Sequence, residues 1–133
     1  MPLHWSSRLQ SIIALSTTEA EFVALSEATR EITPYLNFLK EVYSRLPDLP
    51  LATSQPVCTL FEDNKGAIAL ATVNRYRSRT KHIGLKYHHF RDLLVSGSLK
   101  IRHITSELQL ADIFTKPLKD PEFPRLRKRL LGW

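Results

Sequence analysis

The sequence predicts an α/β domain, and three observations carry that reading. Apolar residues recur at helical spacing in several long stretches. Two short apolar or alternating runs, at 57–61 and 99–104, read as strands. The two kinds of segment alternate as helix, strand, helix, helix, strand, helix, which suits a mixed sheet covered by helices. At 133 residues the chain is one domain, 1–133, large enough to bury a core. Two strands are few for such a sheet, so further strands are expected upstream of Met1.

In chain order, residues 1–15 hold Trp5, whose neighbourhood reads as the tail of a strand, a polar break at Ser6-Ser7-Arg8, and the apolar run Ile12-Ile13-Ala14-Leu15. Ser16-Thr17-Thr18-Glu19 is a capping box: the Ser hydroxyl caps a backbone N–H, and the Glu reaches back. The helix after it carries Ala20, Val23, Ala24 and Ala28 on one face. Pro34 is expected to kink or break it, because proline lacks the N–H and crowds the preceding turn. Thr33 would then cap a second helix with Pro34 at its first position, running from Tyr35 through Val42 to about Arg45.

Leu46 to Pro56 is a Pro-rich loop. Val57 to Phe61 is the first strand, ending at Glu62-Asp63-Asn64. A helix with Ala67, Ile68, Leu70 and Ala71 comes next. Leu85 to Val95 reads as helix, stopped by Ser96-Gly97-Ser98. Leu99 to Ile104 alternates as a strand. Thr105-Ser106-Glu107 opens a helix carrying Leu108, Leu110 and Ala111. Pro117, Pro121 and Pro124 fragment the stretch beyond it, and Leu126 to Leu131 forms a last basic helix.

Composition narrows the function classes. The hydrophobic share of 43% and charged share of 24% are ordinary for a soluble domain. No apolar run approaches the roughly 20 residues that span a bilayer, so no membrane partner is expected. Met1-Pro2-Leu3-His4-Trp5 is no signal peptide. Cys58, the single cysteine, excludes an internal disulfide and a Cys-rich zinc module, and reads as a small core residue.

The net charge of +6 favours a polyanionic partner. From Asn74 to Arg91 there is no acid, while Arg75, Arg77, Arg79, Lys81, Lys86 and Arg91 interleave with Tyr76, Tyr87 and Phe90. These cations suit phosphate contacts. A solvated basic face with Tyr87 and Phe90 turned inward is the equal alternative. His82, His88 and His89 lack the partners and spacing of a tetrahedral zinc site, and His103 reads as an ordinary strand residue.

Three acids sit in or beside apolar runs: Glu21 in an early helical turn, Asp63 at a strand end, and Asp112 on a helix after the second strand. Mg²⁺ prefers hard oxygen ligands and is commonly held by a few carboxylates plus substrate phosphate. Two-metal nucleases gather such carboxylates from several elements. Strand C-termini in α/β sheets open into the ligand crevice, which suits Asp63. Taken singly, each acid reads equally as a solvated side chain, and Asp63 is placed to cap the helix beginning at Asn64.

Four ordered segments resemble a known family: 15–25 (LSTTEAEFVAL), 62–70 (EDNKGAIAL), 78–83 with Lys86-Tyr87-His88, and 109–118 (QLADIFTKPL). Together they are similar to the ribonuclease H domain of Ty1/copia-type retrotransposon Pol polyproteins, and Trp5 to Gln10 resembles the run before the first segment. The resemblance implies a ribonuclease H-like fold and cleavage of RNA in RNA–DNA hybrids during reverse transcription. Water is then the nucleophile, and products carry 5′-phosphate and 3′-hydroxyl ends. It implies two Mg²⁺ (or Mn²⁺) ions, with Asp63 bridging both, Glu21 on one and Asp112 on the other. The cations Arg75, Arg77, Arg79 and Lys81 are then the candidates for phosphate contacts with the hybrid, and a reverse transcriptase domain is expected upstream in the same polyprotein. The resemblance also implies an intracellular location, in a cytoplasmic virus-like particle or the nucleus, rather than secretion. The family's first Asp falls in a strand upstream of Trp5, and no residue here matches it. The 133 residues alone are therefore expected to hydrolyse little or nothing. The alternative is a non-catalytic remnant serving at most as a basic nucleic-acid-binding module.

Overall fold

The computed structural model describes residues 2–46, 55–72 and 91–133. Helix α1 (Thr17–Arg45) is the longest element among the described residues. Its start agrees with the capping-box expectation. The Ser16 hydroxyl accepts the Glu19 N–H at 3.2 Å, and the Glu19 carboxylate reaches back to the Leu15 N–H at 2.8 Å.

The expected break at Pro34 does not occur, since α1 runs unbroken for 29 residues. A mid-helix proline costs about 3 kcal/mol, and burial on both sides of it outweighs that. Phe22, Val23 and Leu25 are buried before Pro34, and Leu36 after it. Thr33 therefore caps nothing. Its hydroxyl bonds back to the Thr29 carbonyl at 2.7 Å, and Thr29 does the same to Leu25 at 2.9 Å.

Strands β1 (Cys58–Glu62) and β2 (Leu99–His103) pair in parallel, with Cys58 opposite Leu99 and Glu62 opposite His103. Among the described residues the sheet has these two strands, so it is parallel there rather than mixed as expected. Residues 2–15 contain no strand; Trp5 instead stacks on Phe114 with ring centroids 5.4 Å apart. Among the described residues, two helices lie in the crossover between the strands, α2 (Lys65–Thr72) and α3 (Arg91–Val95). The earlier part of the expected 85–95 helix lies outside the described residues. Gly97 (φ 74°) ends α3, donating its N–H to the Leu94 carbonyl at 3.1 Å.

The core joins α1, α2 and the sheet. Phe22, Val23, Leu25, Ala67, Ala71 and Leu99 are buried together, with Cys58, Leu60 and Ile101 packed against them. Cys58 thus has the expected core role. The small residues Ala67 and Ala71 let α2 sit close to α1. Gly66 carries this furthest, because a Cβ there would lie 2.9 Å from Thr18 Cγ2. Gly66→Ala should gain about 1 kcal/mol of helix propensity and lose it to this clash. In a Thr18→Ala background the gain should reappear. A double-mutant cycle by urea unfolding should show coupling of about 1 kcal/mol, and strict additivity would mean the two helices are not in contact there.

The segment after β2 departs from the single helix expected. Ser106–Leu108 and Leu110–Phe114 are two 3-10 turns, so Asp112 lies on a 3-10 turn and not on an α-helix. Gln109 separates them in an extended conformation (φ −70°, ψ 104°), and its amide reaches the Phe61 carbonyl at 3.4 Å. Pro117 then bars continuation. Helix α4 (Glu122–Leu131) begins earlier than expected. Pro124 falls in its first turn, where N–H groups lack helical partners anyway, so it does not fragment the helix. Gly132 (φ 87°) ends it.

An apolar groove of about 700 Å³ runs between the N-terminal segment and the outer half of α1. Trp5, Tyr35, Phe38, Leu39 and Phe114 line it. Among the described residues no helix is long and apolar enough to cross a membrane.

Candidate carboxylate site

Each of the three singled-out acids is set by a different element. Glu21 lies one turn into α1 and is half-buried. Asp63 directly follows β1. Asp112 is carried on the second 3-10 turn.

Local hydrogen bonds decide how each is used. Asn64, not Asp63, caps α2: its side-chain oxygen accepts the Gly66 N–H at 2.9 Å and the Ala67 N–H at 3.1 Å. The capping alternative for Asp63 is thereby removed. Asp63 instead accepts the Ser106 hydroxyl at 2.7 Å, tying the end of β1 to the first 3-10 turn. Asp112 is held by Lys116 one turn on, with Nζ to Oδ2 at 2.9 Å.

Electrostatics places the three in one neighbourhood. Burial pushes the Glu21 carboxyl above its usual value; the nearby charge of Asp63 and then Asp112 adds to this, and Lys116 opposes it. The Lys116 ammonium is pushed up, first by its hydrogen bond to Asp112 and also by the charges of Asp112, Asp63 and Glu21. One cation is thus shared, in the electrostatic sense, by all three carboxylates.

A fourth carboxylate, not singled out by motif or spacing, belongs here. Glu62, the last residue of β1, is only 5% exposed. Burial, helped by the charges of Glu21 and Asp63, pushes its carboxyl up to about 7 despite the Asn64 N–H that it accepts at 2.9 Å. Strand alternation was the available signal. Residues 58, 60 and 62 share one face of β1, and Cys58 and Leu60 of that face pack on the core.

The donor chemistry fits a hard divalent cation: several carboxylates lie close enough together that the charges of Asp63 and Asp112 raise the proton affinity of Glu21. The arrangement is not a finished ligand shell. Among the described residues no three His, Cys, Asp or Glu side chains form a group ready to hold a metal ion. Lys116 and Ser106 engage two of the oxygens that would be needed. Arg75, Arg77, Arg79 and Lys81, together with His82, His88 and His89, lie outside the described residues. His103 is exposed at the end of β2.

The chain is 35% identical over 130 residues to the "Retrovirus-related Pol polyprotein from transposon TNT 1-94" of Nicotiana tabacum, covering 98% of this chain and 9% of that protein. It is 34% identical over 129 residues to the corresponding polyprotein from transposon RE1 of Arabidopsis thaliana, covering 97% and 8%. Against the "Transposon Ty1-NL2 Gag-Pol polyprotein" of Saccharomyces cerevisiae it is 30% identical over 120 residues, covering 90% and 6%. The chain therefore spans less than a tenth of the length of these relatives. No family model matches it, and no solved structure does. Over almost its whole length, the chain is homologous to a short stretch of Ty1/copia-type retrotransposon Pol polyproteins.

Proposed function

We propose that this chain is a ribonuclease H-like domain of a retrotransposon Pol polyprotein, hydrolysing the RNA strand of RNA–DNA hybrids during reverse transcription. The observation that supports the reading is the electrostatic proximity of Glu21, Asp63 and Asp112, which falls short of a ready metal-binding group among the described residues. They arrive from a helix, a strand end and a 3-10 turn, close enough for Asp63 and Asp112 to raise the Glu21 carboxyl's proton affinity. Homology to Pol polyproteins supports it independently.

In this reading Glu21, Asp63 and Asp112 would hold Mg²⁺ or Mn²⁺. Bound metal supplies Lewis acidity toward the scissile phosphate and lowers the pKa of the attacking water. The protein's own part is placement. Asp63 is fixed by strand pairing behind it and by Ser106 beside it. Lys116 offsets the mutual repulsion of the carboxylates and keeps Asp112 oriented. The hybrid and an upstream reverse transcriptase domain are the partners this reading requires.

A second reading, a non-catalytic nucleic-acid-binding module, is favoured by one observation: Lys116 occupies Asp112 at 2.9 Å. Cleavage assays on a labelled RNA–DNA hybrid separate the two. A version extended upstream in its own gene should cleave in Mg²⁺. Asp63→Asn should reduce that cleavage more than about 100-fold, since even outer partners of metal ligands typically cost about 10–100-fold. The 133-residue chain alone should cleave little or not at all. Absence of cleavage by the extended protein would leave the binding module standing, and strong Mg²⁺-dependent cleavage by the short chain would overturn its expected inactivity.

A further inference from the structure

The last 18 residues carry six Lys or Arg against two acids, Asp120 and Glu122. Four of the chain's six net positive charges therefore lie there. Helix α4 sorts them by side. Arg125, Lys128 and Arg129 stand at i, i+3 and i+4, so they share one face, and all three are exposed. Lys119, just before the helix, is exposed as well. Among the described residues no ion pair engages Lys119, Arg125, Lys128 or Arg129, and of their side chains only Arg125 makes a hydrogen bond there, to the Glu107 carbonyl at 2.8 Å.

A basic amphipathic helix fits either a phosphate backbone or an anionic membrane surface. The packing favours the first. Membrane binding needs the apolar face free to enter the lipid. Here Leu126 is buried, and Leu130 and Leu131 are half-buried. Arg127 lies on that side with its guanidinium over the Trp133 ring at 5.5 Å. Although Phe123 on that face is 43% exposed, its leucines are committed to the protein, and the basic face is wholly open. α4 packs against the 3-10 turn that carries Asp112.

We propose that the exposed basic face of α4, made by Arg125, Lys128 and Arg129 with Lys119, is a docking surface for the sugar–phosphate backbone of a nucleic acid duplex. It rests on the ribonuclease reading for the kind of duplex, an RNA–DNA hybrid, and not for the binding itself. Phosphate contacts of this sort hold register without reading sequence.

The test is binding of the 133-residue chain to a labelled RNA–DNA hybrid in EDTA, by fluorescence anisotropy across a salt series. The variant carries Lys119→Gln, Lys128→Gln and Arg129→Gln together. All three positions are exposed, and thermal unfolding checks that the fold is kept. The slope of log affinity against log salt should shallow by about 2–3, near 0.9 for each phosphate no longer neutralised. Affinity at low salt should fall by about tenfold or more, as expected when several phosphates lose their cations. Glu122→Gln should tighten binding. An unchanged slope and affinity in the triple variant overturns the proposal. Stronger binding of the wild-type chain to phosphatidylserine vesicles than to the hybrid overturns it too and assigns α4 to a membrane surface. Cleavage by the extended protein is read separately. Binding through α4 without cleavage sinks only the ribonuclease reading, and cleavage with an unaltered salt slope sinks only the α4 surface.

Discussion

Replacing Glu62 by Gln is expected to stabilise the protein by about 3 kcal/mol above pH 7 and to change little at pH 4, at about 1.4 kcal/mol per pH unit of displaced titration. The direction follows from the folded-state carboxyl titrating near 7, above its ordinary value of 4.5. The folded protein holds this proton more tightly than the unfolded chain does. Its contribution is therefore fully present below about pH 4.5 and is lost as pH rises through about 7. Gln mimics the neutral form and keeps an oxygen to accept the Asn64 N–H. The difference in urea-unfolding free energy between wild type and Glu62→Gln should widen across that window. A flat difference from pH 4 to 8 would show that the Glu62 carboxyl is not desolvated.

Leu99→Ala should cost about 2–5 kcal/mol, the range for truncating a fully buried leucine. Leu99 opens β2, lies opposite Cys58, and is 1% exposed within the cluster formed by Phe22, Val23, Leu25, Ala67 and Ala71. Against a total stability of about 5–15 kcal/mol for a typical domain, that is a large fraction. The same truncation at Leu3, which is 98% exposed, should stay within about 0.5 kcal/mol. A Leu99→Ala cost below about 1 kcal/mol, measured at unchanged denaturant sensitivity, would place the centre of the core elsewhere.

Local chemistry was legible in the sequence, and long-range balance was not. The Ser16 cap, the two strands and the Cys58 core position come from residue types at short spacing. Pro34 misleads because its cost is local while the burial that outweighs it, at Phe22 and Leu36, is tertiary. Residues 106–114 mislead in the opposite sense. Their apolar spacing suits a helix, yet Gln109 turns outward to the Phe61 carbonyl and divides it. At the site, the identities of Glu21, Asp63 and Asp112 were readable, but their partners were not. Ser106 on Asp63 is a contact across 43 positions, beyond the reach of periodicity. Glu62 was within reach, since alternation along β1 turns it to the core face.

Helix α1 carries one wall of the apolar groove and the Glu21 carboxylate on a single piece of backbone. At about 1.5 Å of rise per residue, Glu21 and Phe38 lie roughly 25 Å apart along it. Pro34 has no N–H to give the Arg30 carbonyl, so one rung of the ladder between them is absent. Bending stiffness is lowest at that turn. The segment carrying Glu21 is anchored by the buried Phe22, Val23 and Leu25. The two halves of α1 are thus joined, at that turn, by one hydrogen bond fewer than elsewhere along the helix.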